Sequence, residues 1–216
     1  MYSNDLINHL KLSVNQNLPA FKAHYLMMPK QRREEFEKNK PDDFTKKSAV
    51  LLLLSHRNNQ LNLTFIKRQK YDGVHSGQIA FPGGKFEKND ITLIETALRE
   101  TYEEIGIKPM DVEIIGQLSE LYIPPSNFLV QPVLGYFNQE PVYKINNYEV
   151  ESVFEVSIEE LLSAETIHDA DFEVINNKII KAPCYIFGEH KVWGATSMIL
   201  SELIEIAKNF NGLDLS

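Results

Sequence analysis

Cysteine is almost absent from this chain of 216 residues, in which Cys184 is the only one. A single cysteine excludes an internal disulfide framework and any zinc site built on several thiolates. The same scarcity suits a reducing compartment, so we expect a cytoplasmic protein in which Cys184 is a small buried apolar residue.

Positive charge and long apolar runs are also scarce. The chain carries 22 Lys and Arg against 30 Asp and Glu, a net charge of −8, which argues against a broad nucleic-acid-binding surface. The longest apolar run, 49–54, is too short to span a membrane, and the first residues lack the features of a signal peptide. We therefore expect no nucleic-acid partner and no membrane partner. An anionic ligand would require a metal ion or a few well-placed cationic side chains.

The apolar pattern predicts a mixture of strands and helices. Strands are predicted at 49–55, 61–68, 78–81, 112–121, 130–137 and 151–156, with shorter ones between 172 and 187. Helices are predicted at 91–105, 158–163 and 196–207. These elements indicate an α/β fold, specifically an α/β/α sandwich around a mixed β-sheet.

The first part of the chain is predicted to be a helical extension. Residues 4–14 have helical apolar spacing, whereas the charged stretch 30–47 indicates a linker or a surface helix outside the core. We therefore divide the chain into an N-terminal helical extension, 1–45, and a main domain, 46–216.

The helix predicted at 91–105 carries acidic side chains where a helix disfavours them. Glu100, Glu103 and Glu104 repel one another at helical spacing and lie near the negative end of the helix, just before Gly106. Side chains one turn apart can converge on a single ion, and oxygen-only ligands favour Mg²⁺ or Mn²⁺. The pattern therefore predicts a divalent metal site.

A glycine turn precedes this helix. Gly83 and Gly84 permit backbone conformations and a close ligand approach that other residues disfavour, and Asp90 is the predicted N-cap. Glutamate pairs also occur on many solvated helices that have no such role. The combination of the turn, Arg99 and the helix-ending Gly106 favours a functional site instead.

This segment resembles the Nudix box, the sequence signature of the Nudix hydrolases. The shared positions are Gly84, an acid at Asp90 and the run Arg99-Glu100-Thr101-x-Glu103-Glu104-x-Gly106-Ile107. The departures are Asp in place of the first Glu, one extra residue before Arg99, and Thr101 at an apolar position. The resemblance implies that 46–216 is a Nudix hydrolase domain, that Arg99 orients a carboxylate by a salt bridge, and that three glutamates bind Mg²⁺ or Mn²⁺: Glu100, Glu103 and Glu104.

The segment before the box resembles the coenzyme A pyrophosphatase branch of this family. The run 77–84, Gly-Gln-Ile-Ala-Phe-Pro-Gly-Gly, keeps the second half of that branch's motif, and Arg68 matches its first arginine. Gly73 stands at its second arginine position, which removes a bidentate phosphate donor. Three residues are candidates to replace that donor: Lys67, Lys70 and His75. The expected substrate-binding residues are Arg68, Lys67, Gly83 and Gly84.

The implied reaction is hydrolysis of the diphosphate in coenzyme A or its derivatives to 3′,5′-ADP and 4′-phosphopantetheine. A carboxylate takes the proton of the attacking water, and Glu103 and Glu149 are the two candidates for this base. Three aromatic side chains are candidates for stacking on adenine: Tyr71, Tyr122 and Phe128. Trp193 is expected to pack in the core.

Two other functions stay open at this point. Gly73 keeps open the hydrolysis of another nucleoside diphosphate, such as ADP-ribose, NADH or a dinucleotide. A non-catalytic nucleotide-sensing regulator on the same fold is the other alternative, although the intact acidic residues argue against it. The expected partner is a small-molecule nucleotide, and a homodimer is the candidate assembly.

Overall fold

An eight-stranded mixed sheet forms the centre of the computed structural model, which describes residues 2–16, 18–69, 77–163, 167–174 and 178–210. Strands β1 (Lys46–Arg57) and β7 (Phe128–Phe137) pair in parallel through its middle. The other strands join in antiparallel pairs: β2 (Gln60–Arg68), β3 (Ile79–Ala80), β4 (Gly83–Lys85), β5 (Val112–Gln117), β6 (Leu121–Ile123) and β8 (Val150–Ser157).

Helices cover both faces of this sheet. Helix α4 (Leu93–Ile105) packs on the face to which β1 contributes Leu51 and Leu53. On the opposite face, Leu52 and Leu54 belong to the cluster that includes α6 (Gly194–Lys208). Successive strand residues point to opposite faces, so the continuous apolar run of β1 is buried on both sides. The predicted α/β/α sandwich is confirmed.

The N-terminal segment contributes to the second face. Helices α1 (Tyr2–Ser13) and α2 (Phe21–Leu26) pack against α6. Leu6, Leu10, Met27 and Met28 are almost completely buried. The segment therefore shares the core with α6, and the division of the chain at residue 45 stays a prediction.

The remaining elements flank the sandwich. A second, antiparallel sheet contains β9 (Ile167–Val174), β10 (Lys178–Phe187) and β11 (His190–Trp193), and Cys184 is buried in it, as predicted. The short helical elements are α3 (Arg33–Lys38), α5 (Ile158–Leu162) and the 3-10 turns Lys30–Arg32, Pro109–Asp111 and Pro124–Ser126. No helix in the described ranges combines the length and the apolar character needed to cross a bilayer.

The strand predicted at 112–121 is interrupted, and this part of the prediction was wrong. β5 ends at Gln117 and β6 begins at Leu121. Between them, the Ser119 N–H and hydroxyl both donate to the Glu202 carboxylate of α6, at 3.1 and 2.6 Å. These bonds take the place of the strand ladder at this point.

Candidate active site

Helix α4 begins two residues later than predicted, and its cap differs from the predicted one. The Glu95 N–H donates to Thr92 Oγ1 at 3.2 Å, so Thr92 is the N-cap. Asp90 lies outside the helix and accepts hydrogen bonds from the Glu87 N–H and the Thr96 hydroxyl, both at 2.9 Å. The prediction of Asp90 as the N-cap was wrong. Asp and Thr can both cap a helix, and the sequence alone did not show that Thr92 would do so.

Asp90 instead holds Arg99. Arg99 Nε and Nη2 donate to the two carboxylate oxygens of Asp90 at 2.9 and 3.0 Å, a bidentate pair. The hydrogen bond from Arg99 holds the pKa of Asp90 at about 2. Arg99 Nη1 also donates to Glu100 at 3.1 Å and to Glu103 at 3.3 Å. The guanidinium thus offsets part of the repulsion between the acids of α4.

The carboxyl end of α4 is held by a loop that leads into β8. Gly106 ends the helix with φ 77°, in the left-handed region. The Asn146 N–H donates to Glu104 O at 2.9 Å, and the Glu149 N–H donates to Asn146 O at 3.0 Å. One loop therefore satisfies the end of α4 and brings Glu149 close to it.

Glu104 is the buried acid of the group, with 1% of its surface exposed. The Gly83 N–H donates to its Oε2 at 2.8 Å, and Arg68 Nη2 lies 3.4 Å from its Oε1. Burial raises the pKa of Glu104 to about 7, and the charges of Glu100 and Glu149 act in the same direction, whereas Arg68 opposes them. Burial also raises the pKa of Glu100. Burial therefore disfavours the ionised forms of Glu100 and Glu104.

Gly83 and Gly84 each have a different structural reason for lacking a side chain. Gly83 has φ 153°, and a Cβ there would overlap the backbone of Ala49. A Cβ on Gly84 would lie 2.5 Å from both carboxylate oxygens of Glu100. The backbone of the turn is consequently in direct contact with the acidic face of α4.

A bulge in β2 precedes Arg68. The pairing of β2 with β8 shifts register between Lys67 and Arg68, and such an irregularity redirects the following side chain. Arg68 Nη2 donates to Gly83 O at 2.9 Å, while Lys67 Nζ pairs with Glu151 at 2.6 Å. Neighbouring cations of one strand thus have different partners.

These elements surround a cleft of about 730 Å³. Seven residues singled out from the sequence line it: Arg68, Gly83, Gly84, Glu100, Glu104, Phe128 and Glu149. Lys67, Arg99, Glu103 and Tyr122 are not among the lining residues, so the structure does not bring these four to the cleft wall. Lys70, Tyr71, Gly73 and His75 lie outside the described residues.

The cleft extends to residues that the sequence motifs did not identify. Trp193, expected in the core, is half-buried, stacks on Phe172 with ring centroids 4.3 Å apart and lines the cleft. Arg32 and Thr196 line it as well. The sequence motifs gave no binding role to Trp193 or Thr196, and nothing in the sequence around Arg32 pointed to a site.

The acidic side chains of the described residues do not converge on a single metal-binding position. Among the described residues, no group of three or more His, Cys, Asp or Glu side chains is arranged to hold a metal ion. Glu100 and Glu104 share the cleft wall, whereas Glu103 is about half exposed and faces Arg99. Glu100 and Glu104 are therefore the carboxylates best placed to hold a cation.

Comparisons with known proteins match this chain to one family. The family model described as NUDIX domain matches residues 45–178. The protein named uncharacterized Nudix hydrolase NudL from Enterobacter sp. (strain 638) is 34% identical over 166 residues, covering 75% of this chain and 83% of that protein. Nudix hydrolase 3 of Caenorhabditis elegans is 30% identical over 177 residues, covering 73% and 72% of the two chains.

A solved structure shares the fold. The MutT protein from Methanosarcina mazei Go1 superimposes with a TM-score of 0.50 and 18% identity, covering 79% of this chain and 98% of that chain. At this identity the likeness concerns the fold alone.

Proposed function

The chain belongs to the Nudix hydrolase family, and from this premise we propose that it hydrolyses the diphosphate of coenzyme A or its derivatives. As a Nudix hydrolase it acts on nucleoside diphosphate-linked small molecules, and such enzymes generally use divalent metal ions. The proposed products are 3′,5′-ADP and 4′-phosphopantetheine. One observation carries the proposal: a single cleft is lined by Arg68, Gly84, Glu100, Glu104 and Glu149.

The choice of coenzyme A is supported by the segments that resemble the coenzyme A branch. Residues 78–81 and 83–84 of the Gly-Gln-Ile-Ala-Phe-Pro-Gly-Gly run line the cleft. The turn Pro124-Pro125-Ser126 and the segment 192–196 also resemble that branch. Pro125 and Ser126 of the turn line the cleft, as do 193–196 at the start of α6. A volume near 730 Å³ is within the usual range for a small-molecule site.

The donor set suits a hard divalent cation. Glu100 and Glu104 provide only oxygen ligands, which match Mg²⁺ or Mn²⁺. Burial raises the pKa of Glu104 to about 7, and the nearby charges of Glu100 and Glu149 add to this rise; a bound cation would favour the ionised carboxylate instead. A cation held by Glu100 and Glu104, with Glu103 as a further proposed ligand, would neutralise the substrate phosphates and activate water.

The other residues have roles that follow from their contacts. Arg68, whose guanidinium lies against Gly83 O and Glu104, is the residue that we propose to donate to a phosphate oxygen. Arg99 is a positioning residue, because its contacts join Asp90 to the face of α4. We propose Glu149 rather than Glu103 as the general base, since Glu149 lines the cleft.

A substrate panel tests this function. Purified protein is assayed for phosphate-ester products with coenzyme A, ADP-ribose, NADH and a dinucleoside polyphosphate, each with Mg²⁺ and with Mn²⁺. The proposal predicts the highest kcat/KM for coenzyme A and no turnover after chelation. A clear preference for ADP-ribose or NADH would contradict coenzyme A as the substrate, and binding without turnover of any substrate would indicate a nucleotide-sensing regulator.

A further inference from the structure

One end of the cleft is built partly by segments of the chain outside the family match, which covers 45–178. A smaller cavity of about 50 Å³ adjoins the cleft there and has mostly apolar walls, including Met28 and Met198. Six residues line both spaces: Arg32, Ile123, Pro125, Trp193, Gly194 and Ala195. Segments from both ends of the chain, together with 121–125, therefore form an additional compartment next to the active site.

Arg32 is the charged residue in the wall of this compartment, and packing on both sides holds the turn that carries it. It belongs to the 3-10 turn Lys30–Arg32, which follows the buried Met27 and Met28. The next residue, Arg33, lies over the Tyr25 ring at 4.1 Å and donates to Tyr25 O. The turn that carries Arg32 is thus anchored on both sides.

The Arg32 guanidinium has no counter-charge among the residues that the structure describes. The five arginines of the chain all lie in the described residues. Three are paired with carboxylates: Arg57, Arg68 and Arg99. Arg33 contacts Tyr25 through its ring and its carbonyl oxygen, although the buried Arg33 Nε has no hydrogen-bond partner among the described residues. No described residue forms a hydrogen bond or an ion pair with the half-buried Arg32 side chain. A partly desolvated charge with apolar neighbours is unfavourable unless an anion accompanies it.

Charge is distributed unequally along the cleft. Glu100, Glu104 and Glu149 line one part of it, together with Arg68, which is already engaged by Glu104. The part next to the small cavity is lined by Arg32 and by the amino end of α6, whose first turn contains no acidic residue. The helix end adds positive potential to that of Arg32. An anion that approaches without a metal ion is therefore favoured at the Arg32 end.

We propose that Arg32 and this compartment form a second subsite, which binds a phosphomonoester on the nucleoside part of the substrate. The inference rests on the proposed function, because the diphosphate must lie at the acidic end of the same cleft. A guanidinium donates in a fork that matches phosphate oxygens. The apolar surface of Ile123, Pro125 and Trp193 suits the attached base. Arg32 would then select substrates that carry a phosphate in addition to the diphosphate.

Nucleotide binding to the full chain tests this subsite directly. Adenosine 3′,5′-bisphosphate and 5′-AMP are titrated without metal, and binding is followed by calorimetry and by the fluorescence of Trp193, the single tryptophan. The wild type is expected to bind the bisphosphate at least about tenfold more tightly, as one charge-assisted contact provides. Arg32→Gln should bring the two affinities within about twofold, and Arg32→Lys should retain an intermediate preference.

Lys30→Gln is the matched control, since Lys30 is an exposed cation of the same turn and lines neither cavity. It should keep the wild-type preference, and thermal melts establish that each variant is folded. Equal affinities in the wild type, a preference that survives Arg32→Gln, or no binding of the bisphosphate at millimolar concentration would overturn the inference.

Turnover of coenzyme A and its 3′-dephospho form separates this inference from the proposed function. If both are hydrolysed with equal kcat/KM, the proposed function holds and the subsite is wrong. If neither is hydrolysed but the bisphosphate preference depends on Arg32, the subsite holds and the proposed function is wrong.

Discussion

Glu104 is buried beside two other carboxylates, Glu100 and Glu149. Without a metal ion, the free energy of unfolding should therefore depend on whether Glu104 is protonated. The pKa of the folded state, about 7, lies above the usual value of 4.5. Between these values the folded protein holds a proton that the unfolded chain has released. The stabilising contribution is therefore complete below pH 4.5 and is lost as the pH rises through 7.

Urea unfolding in a chelator at several pH values measures this contribution. Glu104→Gln lacks the titrating group, so the stability of the wild type relative to the variant should fall by about 3 kcal/mol as the pH rises from 4.5 to 7.5. At the higher pH, Mg²⁺ should restore the unfolding free energy of the wild type and have little effect on that of the variant. A difference that does not change with pH would contradict the assignment.

Gly84 shows how closely the turn and α4 are packed. In Gly84→Ala the new methyl group would displace the carboxylate of Glu100, which lies 2.5 Å from the Cβ position. We expect a loss of about 1–3 kcal/mol in unfolding free energy together with a marked loss of turnover. Lys88→Ala, an exposed change in the loop that follows β4, should alter stability by less than about 0.5 kcal/mol. Similar stability and activity in the two variants would show that the contact is unimportant.

At the scale of the element, α4 depends on a cap that is separate from its acidic face. Thr92→Ala removes the acceptor for the Glu95 N–H and should lower the unfolding free energy by about 1 kcal/mol. Thr92→Ser keeps the acceptor and should be close to the wild type in chemical denaturation. Because Thr92 does not line the cleft, turnover per folded molecule should be retained in both. An alanine variant as stable as the serine variant would refute the cap.

Most elements could be predicted because their apolar periodicity is strong. The continuous apolar run at 49–54 became β1, which is buried on both faces. Helix α2 was missed because its six residues are too few to show a period. The start of α4 was misplaced because two capping residue types, Asp90 and Thr92, stand two positions apart. These failures arise where tertiary contacts choose between locally acceptable structures.

At the scale of the whole molecule, Glu202 joins the N-terminal segment to the main domain. This fully buried carboxylate of α6 accepts hydrogen bonds from the Ala20 N–H and from His24 Nε2 at 3.1 Å each, as well as from Ser119. Burial alone would raise the pKa of Glu202, but the bonds from His24 and Ser119 outweigh it and lower the pKa below its usual value. Its stabilising contribution is therefore present above the usual pKa and is lost as the pH falls through the folded one.

Glu202→Ala should destabilise the protein strongly, by about 3–5 kcal/mol, because it leaves buried donors without an acceptor. Glu205→Ala, one turn along the same helix and half-exposed, should change the unfolding free energy by less than about 1 kcal/mol. Chemical denaturation of the two variants makes the comparison. Equal effects would mean that the network does not hold the N-terminal segment in place.

The sequence motif predicted the acidic part of the cleft but not its extent. Arg68, Glu100 and Glu104 follow from a local pattern, and the structure brings them together. Lys67 was assigned to substrate binding because the sequence could not show its ion pair with Glu151, which lies 84 residues away along the chain. Arg32 reaches the cleft only because α1 and α2 pack against α6. Such long-range contacts leave no local sequence signal.

The most direct test of the metal-dependent site is turnover by Glu104→Gln. The assay uses coenzyme A with saturating Mg²⁺, and Glu95→Gln, an exposed change on the same helix, is the control. Loss of the buried carboxylate should lower kcat at least about 100-fold while the variant stays folded, and the control should keep wild-type turnover. Wild-type Mg²⁺-dependent turnover by Glu104→Gln would contradict the metal site.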